Sequence, residues 1–295
     1  MNASRVKIIA VLLVGIFCVS TAAILIKLCE APFLIIATYR LTFASLILVP
    51  FAVHQKRYQR IRRDNWPYLV LSGTFLSLHF AAWIASLKYT SVASSVVIVA
   101  TSPVFCALTA HFFLKDRISR PLAWGIILSI AGTLVICFHD LTLSKTSLLG
   151  DVLALLGAIF AAGYLLLGSR LRRQGDLFSY IFPVYGVSAL VLILSSLAFR
   201  VPFTGYSTVT YFFFLVLAIV PQLIGHSSFN WALRYLPASL VALVILGEPV
   251  LSTIFAWLIL GERLTWGKGM GGLLILGGIY LAVRYTVWTG LKSSS

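Results

Sequence analysis

The sequence predicts an all-α membrane protein, with ten transmembrane helices arranged as two inverted five-helix repeats around a central cavity. Three observations predict it. The 295 residues are 60% hydrophobic and 11% charged, too apolar for one water-soluble core, so lipid must solvate most of the surface. The apolar residues gather into ten stretches, most of them near the ~20 residues a helix needs to cross ~30 Å of hydrocarbon. The chain also matches itself when shifted by 146 residues. Lys88-Tyr89 falls on Arg234-Tyr235, Pro103 on Pro249, Asp116-Arg117 on Glu262-Arg263, and Gly125 and Gly132 on Gly271 and Gly278. Lys27, Glu30 and Tyr39 fall on Arg173, Asp176 and Tyr185. Five crossings per copy is odd, so the second copy is inverted relative to the first.

The spans are expected at 6–28, 32–53, 66–88, 92–114, 121–139, 148–170, 177–199, 208–234, 238–260 and 266–287. The first follows Arg5 and Lys7 and resembles a signal peptide, but it is long, and Lys27 has a mate in the second copy; it reads as a span. Pro32, Pro67, Pro121 and Pro237 open the second, third, fifth and ninth spans, where a missing N–H costs little. Pro103, Pro183, Pro221 and Pro249 fall inside the fourth, seventh, eighth and ninth and should kink or unwind them. The first repeat is taken as residues 1–145 and the second as 146–287, with 288–295 a disordered C-terminal tail.

Charge sets the direction. With the N-terminus in the cytoplasm, inner segments hold 16 Lys and Arg residues and outer segments 6, with Arg40 inside a span. That bias places both termini on the cytoplasmic side. The net charge of +15 lies in short loops, which suits membrane topology and not nucleic acid. Cys18, Cys29, Cys106 and Cys137 lie in or beside apolar runs without paired spacing; they read as buried hydrophobes and not as a disulfide framework or metal site. The longest polar connection is about His54 to Asn65, too short for a nucleotide-binding domain. No Walker loop or HExxH occurs, so neither a primary pump nor a metalloprotease has support, and no cofactor is expected.

At this point the sequence resembles a known family. The run Leu243-Val244-Ile245-Leu246-Gly247-Glu248-Pro249 followed by Gly261-Glu262-Arg263, with Pro103 to Asp116-Arg117 in the first copy, looks like the EamA-type drug/metabolite transporters. Ser102 stands where the second copy has Glu248, so the acidic position is not duplicated. The resemblance covers essentially the whole chain. It implies a ten-helix basket and export of small metabolites, and the chain looks most like the YddG-type exporters of amino acids, including aromatic ones. A small-molecule substrate and the bilayer are the expected partners, with a monomer as the unit.

Polar groups deep in spans are costly and face the bundle interior, which makes them the candidate site. Arg40 and Glu248 are the two charges near span centres. Arg40 suits a substrate carboxylate; Glu248 suits an ammonium group or a proton. Their structural alternative is pairing with each other or with backbone. Gln222, His226 and Asn230 recur every four residues along the eighth span, and His79 and Trp83 do so in the third. His79 falls opposite Gly225, so these helices are expected to be symmetry mates lining opposite walls of the cavity. Trp83, Tyr164 and Tyr39 offer aromatic wall, although interhelical packing explains such residues equally. Pro103 and Pro249 are the expected flex points. His111, Tyr89 and Tyr235 read as interfacial anchors. A channel and a lipid-modifying enzyme are the rival classes: the first wants a ring of like residues, and the second has only His139-Asp140 to offer.

Overall fold

The computed structural model describes residues 4–54, 62–90, 92–114, 118–137, 147–261 and 264–289. Asp116-Arg117, Glu262-Arg263, His139-Asp140, the cations Lys56, Arg57, Arg60, Lys115, Lys145 and Lys292, and the tail from residue 290 onward lie outside the described residues. Within them the chain is helical and has no strand. Among the described residues nine helical stretches are long and apolar enough to cross a membrane, and Arg120–Ile136 is a shorter apolar helix.

In chain order, α1 (Arg5–Ser20) and α2 (Ala22–Leu28) form the first column, α3 (Phe33–His54) the second and α4 (Trp66–Tyr89) the third. The fourth consists of α5 (Val92–Val99) and α6 (Ser102–Leu114), and the fifth of α7 (Arg120–Cys137). Then come α8 (Ser147–Gln174) and α9 (Leu177–Ala198). The eighth column joins α10 (Thr208–Leu217), a π-helical segment over Ala218–His226, and α11 (Ser227–Ala232). The ninth is α12 (Ala238–Ile245) with α13 (Glu248–Leu260), and the last is α14 (Trp266–Thr289). Large apolar side chains such as Leu194, Phe212, Leu273 and Leu276 point outward. In water that would be untenable. In lipid it is the ordinary solution, because helices satisfy their own backbone.

The breaks have local causes. Pro103 has no N–H for the carbonyl of Val99, and Pro249 none for Ile245. The chain answers with the same tightened bond at both places: Thr101 N donates to Ile98 O at 3.0 Å, and Gly247 N to Val244 O at 3.0 Å. Pro221 stands inside the π segment. By contrast, α9 runs continuously through Pro183, so the unwinding expected there does not occur. The break at Thr21 was not expected, since no proline or glycine marks it. There Ser20 Oγ donates to Ile16 O (2.7 Å) and Thr21 Oγ1 to Cys18 O (2.7 Å), and such back-bonding bends helices.

The tightest seam joins α7 to α14. A Cβ on Gly132 would lie 2.5 Å from Gly271 O, and one on Gly125 would lie 2.7 Å from Gly278 O. The early residue of each helix meets the late residue of the other, so the two run antiparallel with backbone against backbone. Between the glycine pairs, Ser129 Oγ donates to Ile275 O at 3.3 Å. On the other side of the molecule α4 packs against α8 and α9, where Ser188 Oγ donates to Gly73 O at 2.5 Å.

Candidate functional site

A cavity of about 420 Å³ lies inside the bundle, a size that accommodates a small metabolite. Its wall takes residues from both halves of the chain: α1 and α2, α3, α4, the α5–α6 column, α7, α8, α11, the α12–α13 column and α14, together with His226 at the end of the π segment.

Arg40 dominates the interior end. It is 1% exposed and lines the cavity. Its Nε donates to Gln222 Oε1 at 2.9 Å, and its guanidinium lies 4.3 Å from the centre of the Phe80 ring, a cation–π contact. Its Nη1 is buried without a hydrogen-bond partner, as is Gln222 Nε2. Unpartnered buried donors are rare in folded proteins and costly. Glu248 also lines the cavity, at the first turn of α13, where the helix dipole favours an anion. Among the described residues Arg40 and Glu248 form no ion pair with each other.

His79, Trp83, Tyr164 and His226 line the same space. The His79 Nδ1 sits 2.9 Å from Gly157 O of α8, and its ring lies parallel to that of Trp83 with centroids 6.1 Å apart. His226 stands edge-on to Phe80 at 5.4 Å. The third and eighth columns meet where His226 contacts Phe80, and both contribute to the cavity wall.

Three of the expected residues lie elsewhere. Gln222 sits behind the wall as the partner of Arg40. Asn230 lies beneath it, accepting from Tyr164 Oη at 2.8 Å through Oδ1 and donating through Nδ2 to Tyr185 Oη at 3.3 Å. Tyr39 donates its hydroxyl to Phe203 O at 2.8 Å and stacks on Phe214, in a separate apolar cluster away from the cavity. Pro249 lines the cavity, and Pro103 is buried next to the lining residue Ser102.

The side chains below Tyr164 close that end. Tyr180 Oη and Ser72 Oγ are 2.8 Å apart, and Tyr185 Oη is 3.2 Å from Ser227 Oγ. Arg172, 1% exposed, donates through Nε to Asn230 O (3.0 Å) and through Nη1 to Gly175 O (2.6 Å). The sequence offered Arg172 only as one of several cations at a span end. The opposite end of the cavity is marked by Lys27, near the end of α2, and Lys268, in the first turn of α14.

A model of the EamA-like transporter family matches this chain twice, over residues 6–138 and 148–284. The chain belongs to that family. As an EamA-like protein it is a multi-pass membrane transporter of a small molecule. A transporter of Archaeoglobus fulgidus is 27% identical over 252 residues, covering 83% of this chain and 86% of the relative. The pseudopaline exporter CntI of Pseudomonas aeruginosa is 27% identical over 225 residues, covering 76% and 75% respectively. Human solute carrier family 35 member G1 is 26% identical over 254 residues, covering 82% and 68%. One crystal structure superposes with a TM-score of 0.81 over 95% of this chain and 98% of its own, at 18% identity; that likeness speaks for the fold alone.

Proposed function

We propose that this chain exports amino acids, aromatic ones included, across the bacterial cytoplasmic membrane by alternating access, in the manner of a YddG-type exporter. The observation that carries the reading is Arg40: a guanidinium at the cavity wall whose Nη2, unlike the enclosed Nη1, is open and lacks an acceptor among the described residues. A substrate carboxylate supplies that acceptor as a charge-assisted bond. Glu248 attracts the ammonium group or exchanges a proton, while Trp83, Tyr164, His79 and His226 enclose the rest. Tyr39 drops out of the binding set, and Gln222 and Asn230 become supports for Arg40 and Tyr164.

The scaffold belongs to the same reading: ten spans in two inverted repeats, 1–145 and 146–287. Its support is the reciprocal glycine packing, since the 146-residue shift turns the pair Gly125–Gly278 into the pair Gly271–Gly132. The breaks before Ser102-Pro103 and Glu248-Pro249 are related by the same shift. With both termini cytoplasmic, as the loop cations favour, the end bearing Lys27 and Lys268 faces outward and the Arg172–Asn230–Tyr180 end is shut towards the cytoplasm. A cavity sealed at one end argues against an open pore.

The test is counterflow of labelled amino acids in proteoliposomes, with and without an imposed pH gradient. Saturable counterflow is expected, and Arg40→Gln should reduce it by at least about tenfold while folded protein is retained. Uptake that rises with the gradient would make Glu248 the proton site. Absence of counterflow for every amino acid would refute the substrate assignment.

A further inference from the structure

Fixed hydrogen-bond geometry at His79 determines what that residue offers a ligand. A main-chain carbonyl can only accept, so the 2.9 Å contact between Nδ1 and Gly157 O requires the proton on Nδ1. In the neutral imidazole Nε2 then carries the lone pair. Among the described residues no group bonds Nε2, and it is not among their buried unpartnered atoms; its edge is open to the cavity that His79 lines. Phe80 links this acceptor to the donor at the cavity floor. The Phe80 ring lies 5.1 Å from the His79 ring and 4.3 Å from the Arg40 guanidinium. The cavity thus presents a donor for a carboxylate and an acceptor, both beside the Phe80 ring, with Trp83 as a further aromatic part of the wall.

We propose that His79 determines specificity, a reading that rests on the amino acid assignment above. Its Nε2 accepts a hydrogen bond from an N–H or O–H group on the substrate's side chain. The favoured class is therefore amino acids whose aromatic or long side chain carries a donor, such as a phenol or an indole N–H. Purely hydrocarbon side chains leave the lone pair buried and unanswered, and such an unpaired group is what lets a site reject an analogue lacking the matching polar atom.

The test uses pairs that lose the donor with opposite changes in bulk: phenylalanine lacks the hydroxyl of tyrosine, and 1-methyltryptophan carries a methyl in place of the N–H of tryptophan, each measured by counterflow. Wild type should favour the donor-bearing member of each pair by about tenfold in kcat/KM. His79→Leu should bring the two members of each pair together by slowing the donor-bearing one. His79→Gln, which keeps an acceptor, should restore part of the preference. Equal rates within each pair in wild type, a preference for the methylated member, or a His79→Leu variant that slows both members by the same factor would each overturn the proposal. Equilibrium binding of the same pairs to the purified wild-type protein, followed by intrinsic tryptophan fluorescence, separates the two readings. Donor selectivity in binding without counterflow would remove transport of these compounds and leave the His79 assignment standing.

Discussion

Arg40 is held by one bond from Gln222 and one aromatic face from Phe80, which leaves a charged edge for a ligand. Gln222→Glu tests that arrangement sharply. A carboxylate at this position would give Arg40 a permanent counter-charge, so thermal stability should hold or rise, while transport should fall by about tenfold or more. Unfolding midpoint and counterflow, measured on the same preparation, check both halves. The two charges Arg40 and Glu248 were legible in the sequence, because a charge inside an apolar run stands out against lipid. Phe80 was not: one more aromatic residue in a hydrophobic helix carries no signal, although here it is the platform for a guanidinium. Arg172 was legible as a cation, but burial at the closed end depends on two backbone carbonyls that only the fold brings together. Tyr39 misled for a related reason, since its repeat mate Tyr185 touches the polar network while Tyr39 bonds a loop carbonyl.

The glycine seam sets the rules at the level of helices. Gly132→Val would drive a side chain into the backbone of α14, and overpacking of this kind should destabilise the protein by about 2 kcal/mol or more. Gly277→Ala, in the same helix pair but with nothing within 4 Å of the added carbon, should be neutral or stabilising by about 0.5–1 kcal/mol. Denaturant titration of the two variants in detergent discriminates them. Pro249→Ala should restore a bond across the α12–α13 break and alter transport rate more than substrate affinity; an unchanged rate would remove this proline from the mechanism. Most helix boundaries could be read directly, because lipid demands long uninterrupted apolar runs between polar loops. The π segment could not. Pro221 announces a missing donor, but not that the surrounding nine residues adopt the wider i→i+5 turn. Ser20 and Thr21 likewise show how two small hydroxyls break a helix in which composition gives no warning.

For the molecule as a whole, the proposed state has the cavity open at the Lys27–Lys268 end and hydrogen-bonded shut at the Arg172–Asn230 end. In a cysteine-free background, Thr253→Cys on the cavity wall should react with a membrane-impermeant maleimide added from outside. Ser72→Cys, buried at the sealed end, should resist the reagent from either side until the carrier turns over. Labelling of Thr253→Cys only from the cytoplasmic side would reverse the proposed orientation. The proposed inverted architecture rests on the 146-residue repeat, because inversion follows from counting crossings. Which end is closed had no comparable sequence signal, since closure lies in side-chain bonds spread over α4, α8, α9 and α11. Tyr164 belongs to both ends of this description: its ring is part of the wall and its hydroxyl part of the seal. A neutral hydrogen bond of this kind contributes about 1 kcal/mol, comparable to thermal energy. Under the proposed alternating access, cargo leaning on that ring touches the latch itself, and a single phenol separates sensing the load from freeing the floor beneath it.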